Sequence, residues 1–224
     1  REKIELLHNN NSIGIAVEGI LAAKLCGIPC VVHQRGIGKV YRLSAFLSSY
    51  VDVMICISEA VQNCYLAQGL PIKRIVKVYD GIDVSVFAPR LPSETIRAAL
   101  GLPIECPVIG IVGTLQPWKG QREVILAVAK LREKFPDIRC LITGDAYDPN
   151  YEEEIKRLTE SLGVKKNILF LGYRKDIADL MNTMDIVIHA STSPEPFGLV
   201  LIEAMALGKP LIAICEAITE TMFK

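Results

Sequence analysis

Residues 186–214 read IVIHASTSPEPFGLVLIEAMALGKPLIAI. The stretch holds a complete β–α–β unit. Ile186–His189 is a short apolar, β-branched run and predicts a strand. Pro194, Pro196 and Gly198 then break the pattern, and the apolar run behind them predicts a helix over 197–207. Pro196 suits the first helical position, where its missing N–H has no intrahelical partner. Gly208 and Pro210 stop the helix, and Leu211–Ile214 predicts the returning strand. Both strands are apolar on both faces, the mark of a parallel sheet covered by helices.

The same alternation runs outward through the chain. Strands are predicted at 4–7, 30–33, 53–57, 75–79, 108–112, 139–143 and 168–171. Helices are predicted at 12–26, 38–49, 59–68, 93–100, 120–135, 150–162 and 176–183. Ser58 is placed to cap the helix that carries Val61 and Tyr65. One segment, Asp80–Pro92, holds Gly81, Pro89 and Pro92 and neither a clear strand nor a long helix. It marks a boundary between two α/β domains, 1–88 and 89–224. About four and five strands are few for complete doubly wound domains. The expectation is two partial ones, in a chain cut at both ends.

The bulk properties exclude several classes. Lys+Arg and Asp+Glu number 25 each, for zero net charge, so no basic face points to nucleic acid. Seven cysteines occur without a CxxC pair. Most sit in apolar runs, as reduced, buried thiols do, and they do not cluster with His at zinc spacing. No signal peptide or membrane span is visible. No G-x-G-x-x-G opens a helix after a strand, which argues against an NAD enzyme.

The chemistry concentrates in the loop 191–196 and the helix after it. A loop at the carboxyl end of a parallel strand is where open α/β sheets bind ligands. Glu203 is the only polar side chain from Leu199 to Leu207. With no polar face, the helix is expected to be buried on most sides. A buried carboxylate needs donors. A ribose diol would supply two; a neighbouring lysine or a backbone amide would also serve. Glu195 precedes it in an E-x7-E arrangement. Between them, the amides of Phe197, Gly198 and Leu199 at a helix start favour a phosphate.

The segment E-P-F-G-L-V-x-x-E-A-M-A-x-G-x-P resembles the signature of glycosyltransferase family 4, retaining enzymes of the two-domain GT-B fold. The resemblance spans 4–213 and is most specific at 191–210. It implies two facing Rossmann-like parallel-sheet domains, both incomplete here. It also implies that Glu195 contacts the donor sugar and Glu203 the ribose. Gly113, Thr114 and Lys119 resemble the family's G-R-L-x-x-x-K-G, whose Arg and Lys grip the donor diphosphate. Lys119 matches, but Thr114 stands in the place of the Arg. Leu141–Asp145, with Gly144, resembles the family's strand ending in Gly-Asp. Leu171–Arg174 resembles the loop that receives the base, which puts Tyr173 and Arg174 near it. In the first half, Arg35 occupies the place of a family His and could stabilise a leaving phosphate or position an acceptor. Beyond Ala213 the family's glycine pair is absent, and the tail to Lys224 departs from the pattern.

The implied activity is transfer of a sugar from a nucleotide diphosphate sugar to a saccharide or lipid-linked acceptor hydroxyl, with retention. Glu195, Lys119 and Arg35 are the expected catalytic groups. Glu203, Phe197, Gly198, Gly113, Thr114, Gly144, Tyr173 and Arg174 are the expected donor-binding residues. No metal or other cofactor is expected. The expected location is cytoplasmic, with peripheral association at the inner membrane face. A donor-binding piece without catalysis, or a GT-B-type epimerase or phosphorylase, remain alternatives at this point.

Overall fold

The structure, a computed structural model, describes residues 3–214. Cys215 and the departing tail therefore lie outside the described residues. The chain divides into two compact units. The first takes the described residues up to Asp80 together with Pro194–Gly198, and the second takes Gly81–Ser193 and Leu199–Ile214.

The first unit runs β1 (Leu7–Asn9), α1 (Val17–Cys26), β2 (Cys30–Gln34), α2 (Arg42–Leu47), β3 (Val53–Cys56), α3 (Glu59–Leu66) and β4 (Ile75–Lys77). Its sheet is parallel in the order β1-β2-β3-β4. Cys30, Val32, Met54 and Cys56 are fully buried in it, against Ile20 and Ala23 of α1 and Val61 of α3. The Ser58 hydroxyl accepts the Val61 amide at 3.2 Å and caps α3.

Besides β4 and α3, which stop two residues short of expectation at Lys77 and Leu66, three elements of this unit differ. β1 begins at Leu7, not Ile4, because parallel pairing aligns Leu7 with Cys30, while Ile4 and Leu6 stay exposed. α1 begins at Val17, because the backbone turns first, with the Ile15 amide donating to the Ser12 carbonyl. α2 keeps only six residues and tightens into a 3₁₀ turn over Ser48–Tyr50.

The second unit runs α4 (Ser93–Ala99), β5 (Val108–Val112), α5 (Gln121–Leu131), β6 (Arg139–Thr143), α6 (Pro149–Ser161), β7 (Ile168–Gly172), α7 (Ile177–Thr183), β8 (Ile186–His189), α8 (Leu199–Ala206) and β9 (Leu211–Ala213). The parallel order is β7-β6-β5-β8-β9. Central β5 buries both faces. Ile109 and Ile111 pack with Ile125 and Val128 of α5 and Ile155 of α6. Val108 packs with Leu180 and Met181 of α7 and Ala204 of α8. The segment before α4 is fastened to this unit, because the buried Asp179 carboxylate accepts the amides of Arg90 (2.6 Å) and Leu91 (2.9 Å).

The chain builds outward from β5 to β7, then returns to β8 on the other side of β5. Winding therefore reverses between β5 and β8. At such a reversal the connecting loops leave to opposite faces, and the crevice between them is the usual ligand position in such sheets.

Candidate active site

Two loops flank that crevice, one after β5 and one after β8. The first is Gly113–Gly120, with a 3₁₀ turn over Pro117–Lys119. Its carbonyl at Trp118 accepts the Thr192 amide at 2.7 Å and the Thr192 hydroxyl at 3.3 Å. Gly120 has φ +81, and a Cβ there would stand 2.0 Å from the Ala190 carbonyl oxygen. Only glycine lets the two backbones come so close. Buried Gln121 donates to the Thr114 carbonyl at 3.0 Å and holds the loop from beneath. The Trp118 indole donates to Gln116 at 2.6 Å, and Lys119 Nζ lies 4.1 Å from the Trp118 ring centre.

The rim continues across β6 and β7. A Cβ on Gly144, whose φ is +143, would fall 2.0 Å from the Gly113 carbonyl oxygen. The Gly113 amide donates to the Thr143 carbonyl at 2.9 Å, and the Gly144 amide to the Gly172 carbonyl at 2.9 Å. Gly113, Thr114 and Gly144 are thus brought together, with Lys119 on the same loop. Beyond them, Tyr173 is 63% exposed. Arg174 forms a two-point pair with Asp176, at 2.8 and 2.5 Å. That pair raises the guanidinium above its ordinary range and holds the Asp176 carboxyl below its own.

Past β8, Ser191 Oγ approaches His189 Nε2 at 3.4 Å. α8 starts at Leu199, two residues later than expected, and Pro196 is not its first residue. Gly198 has φ +82, a backbone angle outside the right-handed helix. The helix amides therefore begin after Gly198, not at Phe197. The expected burial of α8 on most sides is corrected too. Leu201 and Ala204 are buried, but Leu199 and Met205 are 40% and 42% exposed. The helix packs on β8 and β9, and Leu199, Met205 and Ala206 stay exposed. Glu203 is half-buried, and its side chain makes no hydrogen bond or ion pair among the described residues. Burial pushes its carboxyl above the ordinary range.

Pro194–Gly198 groups with the first unit, although the sequence reading set it within 89–224. Glu195 is 9% exposed and Phe197 6%. The Phe197 ring tilts against Tyr79, with centres 6.2 Å apart. Also in the first unit, Arg35 donates to Asp80 at 2.6 Å. His33 stacks on His8 at 5.7 Å, and His33 Nε2 is buried without a partner among the described residues. Burial, then the Arg35 charge, lowers the pKa of His33. Among the described residues, no three His, Cys, Asp or Glu side chains group as metal ligands would.

Sequence reasoning missed the Thr192–Trp118 tie and the bracing by Gln121. The first joins residues 74 positions apart, and neither carried a local signal. The Arg174–Asp176 pair was readable in principle from its two-residue spacing.

Comparison with known proteins agrees with this architecture. The family model described as Glycosyl transferases group 1 matches residues 92–220. A D-inositol 3-phosphate glycosyltransferase of Corynebacterium urealyticum is 37% identical over 148 residues, 62% of this chain and 35% of that protein. The Corynebacterium glutamicum enzyme of the same name is 40% identical over 147 residues, again 35% of its length. The chain thus spans about a third of the curated relatives it matches. The crystal structure of Anabaena Alr3699/HepE in complex with UDP-glucose has a TM-score of 0.87 at 30% identity. It covers 96% of this chain and 61% of that one. Among the described residues, no helix is long and apolar enough to cross a membrane.

Proposed function

Because the chain belongs to the group 1 glycosyl transferases, we propose that it serves transfer of a hexose from a nucleoside diphosphate sugar to an acceptor hydroxyl, with retention at the anomeric carbon. The observation that carries this reading is the cross-tied crevice between β5 and β8. There the Thr192 amide and the Trp118 carbonyl lock the Lys119 loop to the loop that leads into α8. Lys119, on the first of these loops, supplies a cation, and the N-terminal amides of α8, which begins at Leu199, favour an anion. The diphosphate belongs in that crevice. The Glu203 carboxylate, half-buried on α8, accepts from the ribose diol, which supplies the donors it otherwise lacks. Glu195 orients the sugar.

In the transfer, the bond from the anomeric carbon to the diphosphate oxygen breaks, and a bond to the acceptor oxygen forms. The acceptor proton leaves with the departing diphosphate. Lys119 and the α8 amides stabilise the negative charge that develops on that leaving group. Removing one such donor costs about 10²–10³ in rate. Support for a uridine donor comes from Alr3699/HepE, crystallised with UDP, with UDP and glucose, and with UDP-glucose. Relatives named for D-inositol 3-phosphate support a hydroxyl acceptor on a phosphorylated polyol. Transfer without a metal is part of the proposal, and activity that survives EDTA tests it.

Calorimetry with UDP and GDP, followed by transfer assays with and without acceptor, tests the whole. Glu203→Ala and Lys119→Ala should each weaken UDP binding. Unchanged affinity and turnover in both would remove the assigned roles. Donor binding without any product would identify a donor-binding piece rather than a complete catalyst. Proton NMR of the product decides retention.

A further inference from the structure

The second unit holds an open cavity of about 480 Å³ that the sugar-transfer reading does not use. One wall is the segment before α4, with Ile82, Val86 and Arg90. The other is the β7–α7 loop and the start of α7, with Lys175, Asp176 and Ile177. Both walls are held in place. Phe87 and Ile177 pack against the core formed around Val108 and Leu180. The amides of Val86 and Phe87 donate to the Asp83 carbonyl at 3.1 and 2.8 Å and fold the segment into a turn. Asp179 then fastens its far end through the Arg90 and Leu91 amides. The cavity is thus built before any ligand arrives, and its size is that of a small-molecule site.

Three acids and two cations line it, and they differ in what they already bind. Asp176 is paired with Arg174, and Asp179 is turned to the two amides. Asp83 accepts the Ser85 amide at 2.9 Å and its hydroxyl at 2.6 Å. The side chains of Arg90 and Lys175 are exposed and make no hydrogen bond or ion pair among the described residues. They also stand on different walls. A single exposed cation is ordinary protein surface. Here two uncommitted cations share a preformed cavity whose other lining, at Ile82, Val86, Phe87 and Ile177, is hydrocarbon. One dianionic head can meet both cations at once, and an apolar body suits the rest.

We propose that this cavity binds a small amphiphilic phosphate, a compact apolar body carrying one phosphate group. Arg90 and Lys175 share the head, and Ile82 and Val86 lie against the body. Lys175 stands between Arg174 and Asp176, which clasp each other across it. A ligand on Lys175 therefore restrains the loop that carries Tyr173 and Arg174, and should tighten UDP binding there. By reciprocity UDP tightens the ligand equally. Only this coupling rests on the sugar-transfer reading. The site itself is measured without UDP, so either can fail alone.

The test is calorimetric titration of the full chain with phenyl phosphate at pH 8. It should bind about tenfold or more tightly than inorganic phosphate or phenol, each of which offers half of the contacts. Arg90→Gln and Lys175→Gln should each weaken it about fivefold or more. Val86→Glu, at a 67% exposed site, adds a carboxylate at the cavity and should weaken it about tenfold or more. Lys130→Gln, exposed on α5, should bind as the parent does. Circular dichroism checks that each variant is folded. Equal binding of phenyl phosphate and inorganic phosphate, or indifference to the three cavity substitutions, overturns the proposal. Displacement of the probe by UDP overturns it too, since the probe would then sit in the β5–β8 crevice. With UDP saturating, the probe should bind about fivefold more tightly. An unchanged affinity overturns the coupling, and a failure of UDP alone to bind refutes the sugar-transfer reading and the coupling with it.

Discussion

Replacing Gly120 with alanine should damage the second unit far more than a surface glycine change normally would. Two effects add. At φ +81 an L-residue costs about 1–2 kcal/mol. The new Cβ would also stand 2.0 Å from the Ala190 carbonyl oxygen and 2.7 Å from its carbon. Backbone cannot rotate away as a side chain can, so the β5 and β8 loops must separate by about 1 Å, and forced overpacking of this kind costs about 1–3 kcal/mol. The sum is about 2–5 kcal/mol. Gly101→Ala is the control. Its φ is +65 and nothing lies within 4 Å of the added Cβ, so only the first cost applies. Thermal unfolding followed by fluorescence suits the comparison, because the chain's one tryptophan, Trp118, sits on the strained loop. At about 2–4 °C per kcal/mol, Gly120→Ala should melt roughly 4–20 °C below the parent, and Gly101→Ala only a few degrees below it. Equal losses in the two variants would show that the loops are not in contact, and the crevice argument would lose its base.

Other outcomes follow from the same structure. Burial raises the Glu203 carboxyl, so the folded state holds that proton more tightly than the unfolded chain does. Its contribution is thus most favourable below the ordinary glutamate range and is lost as pH rises through the raised value. Glu203→Gln should therefore melt no lower than the parent at pH 7, yet bind UDP about tenfold or more weakly, since hydrogen bonds to a charged group contribute about 1.5–3 kcal/mol. A large loss of stability with unchanged UDP affinity would contradict this. Asp179→Ala leaves the Arg90 and Leu91 amides without their acceptor and should cost about 1–3 kcal/mol in urea unfolding. A neutral result would mean that the segment before α4 is not held there. Thiol labelling at pH 8 should reach the exposed Cys26 quickly. It should spare Cys140, whose thiol burial pushes up to about 12, and Cys56, pushed up to about 11, until the protein unfolds.

Most strands were legible because each is a largely apolar run, as burial on both faces demands. Val108–Val112 is the clearest case. β1, which reads Leu7-His8-Asn9, was not legible in this way, and the reading misplaced it. Helix ends set by backbone angle were less legible. Nothing in the letters EPFGLV says that Gly198 takes φ +82 and delays α8 to Leu199. The exposure of α8 was hidden for another reason. Apolar residues all round a helix show what it could bury, but not whether a neighbour exists to cover Leu199 and Met205. At the site, Glu203 stood out because it is one acid among apolar residues. The Arg35–Asp80 pair did not, since its members lie 45 positions apart and meet only once β2 and β4 share a sheet. That pair gives the Arg35 guanidinium a fixed partner, a constraint the sequence could not show.

The position of β5 at the centre of its sheet also bears on how the protein is made. Ile109 aligns with Ile186 of β8, 77 positions later in the chain. At about 5–20 residues per second of synthesis, β8 leaves the ribosome roughly 4–15 seconds after β5. During that interval β5 can pair with β6, but its other edge, the row of backbone N–H and C=O groups that β8 later pairs with, stays bare. A nascent chain in this condition is a natural client for holdase chaperones. Slowed translation between residues 112 and 186 would lengthen the exposure and lower the yield of native protein.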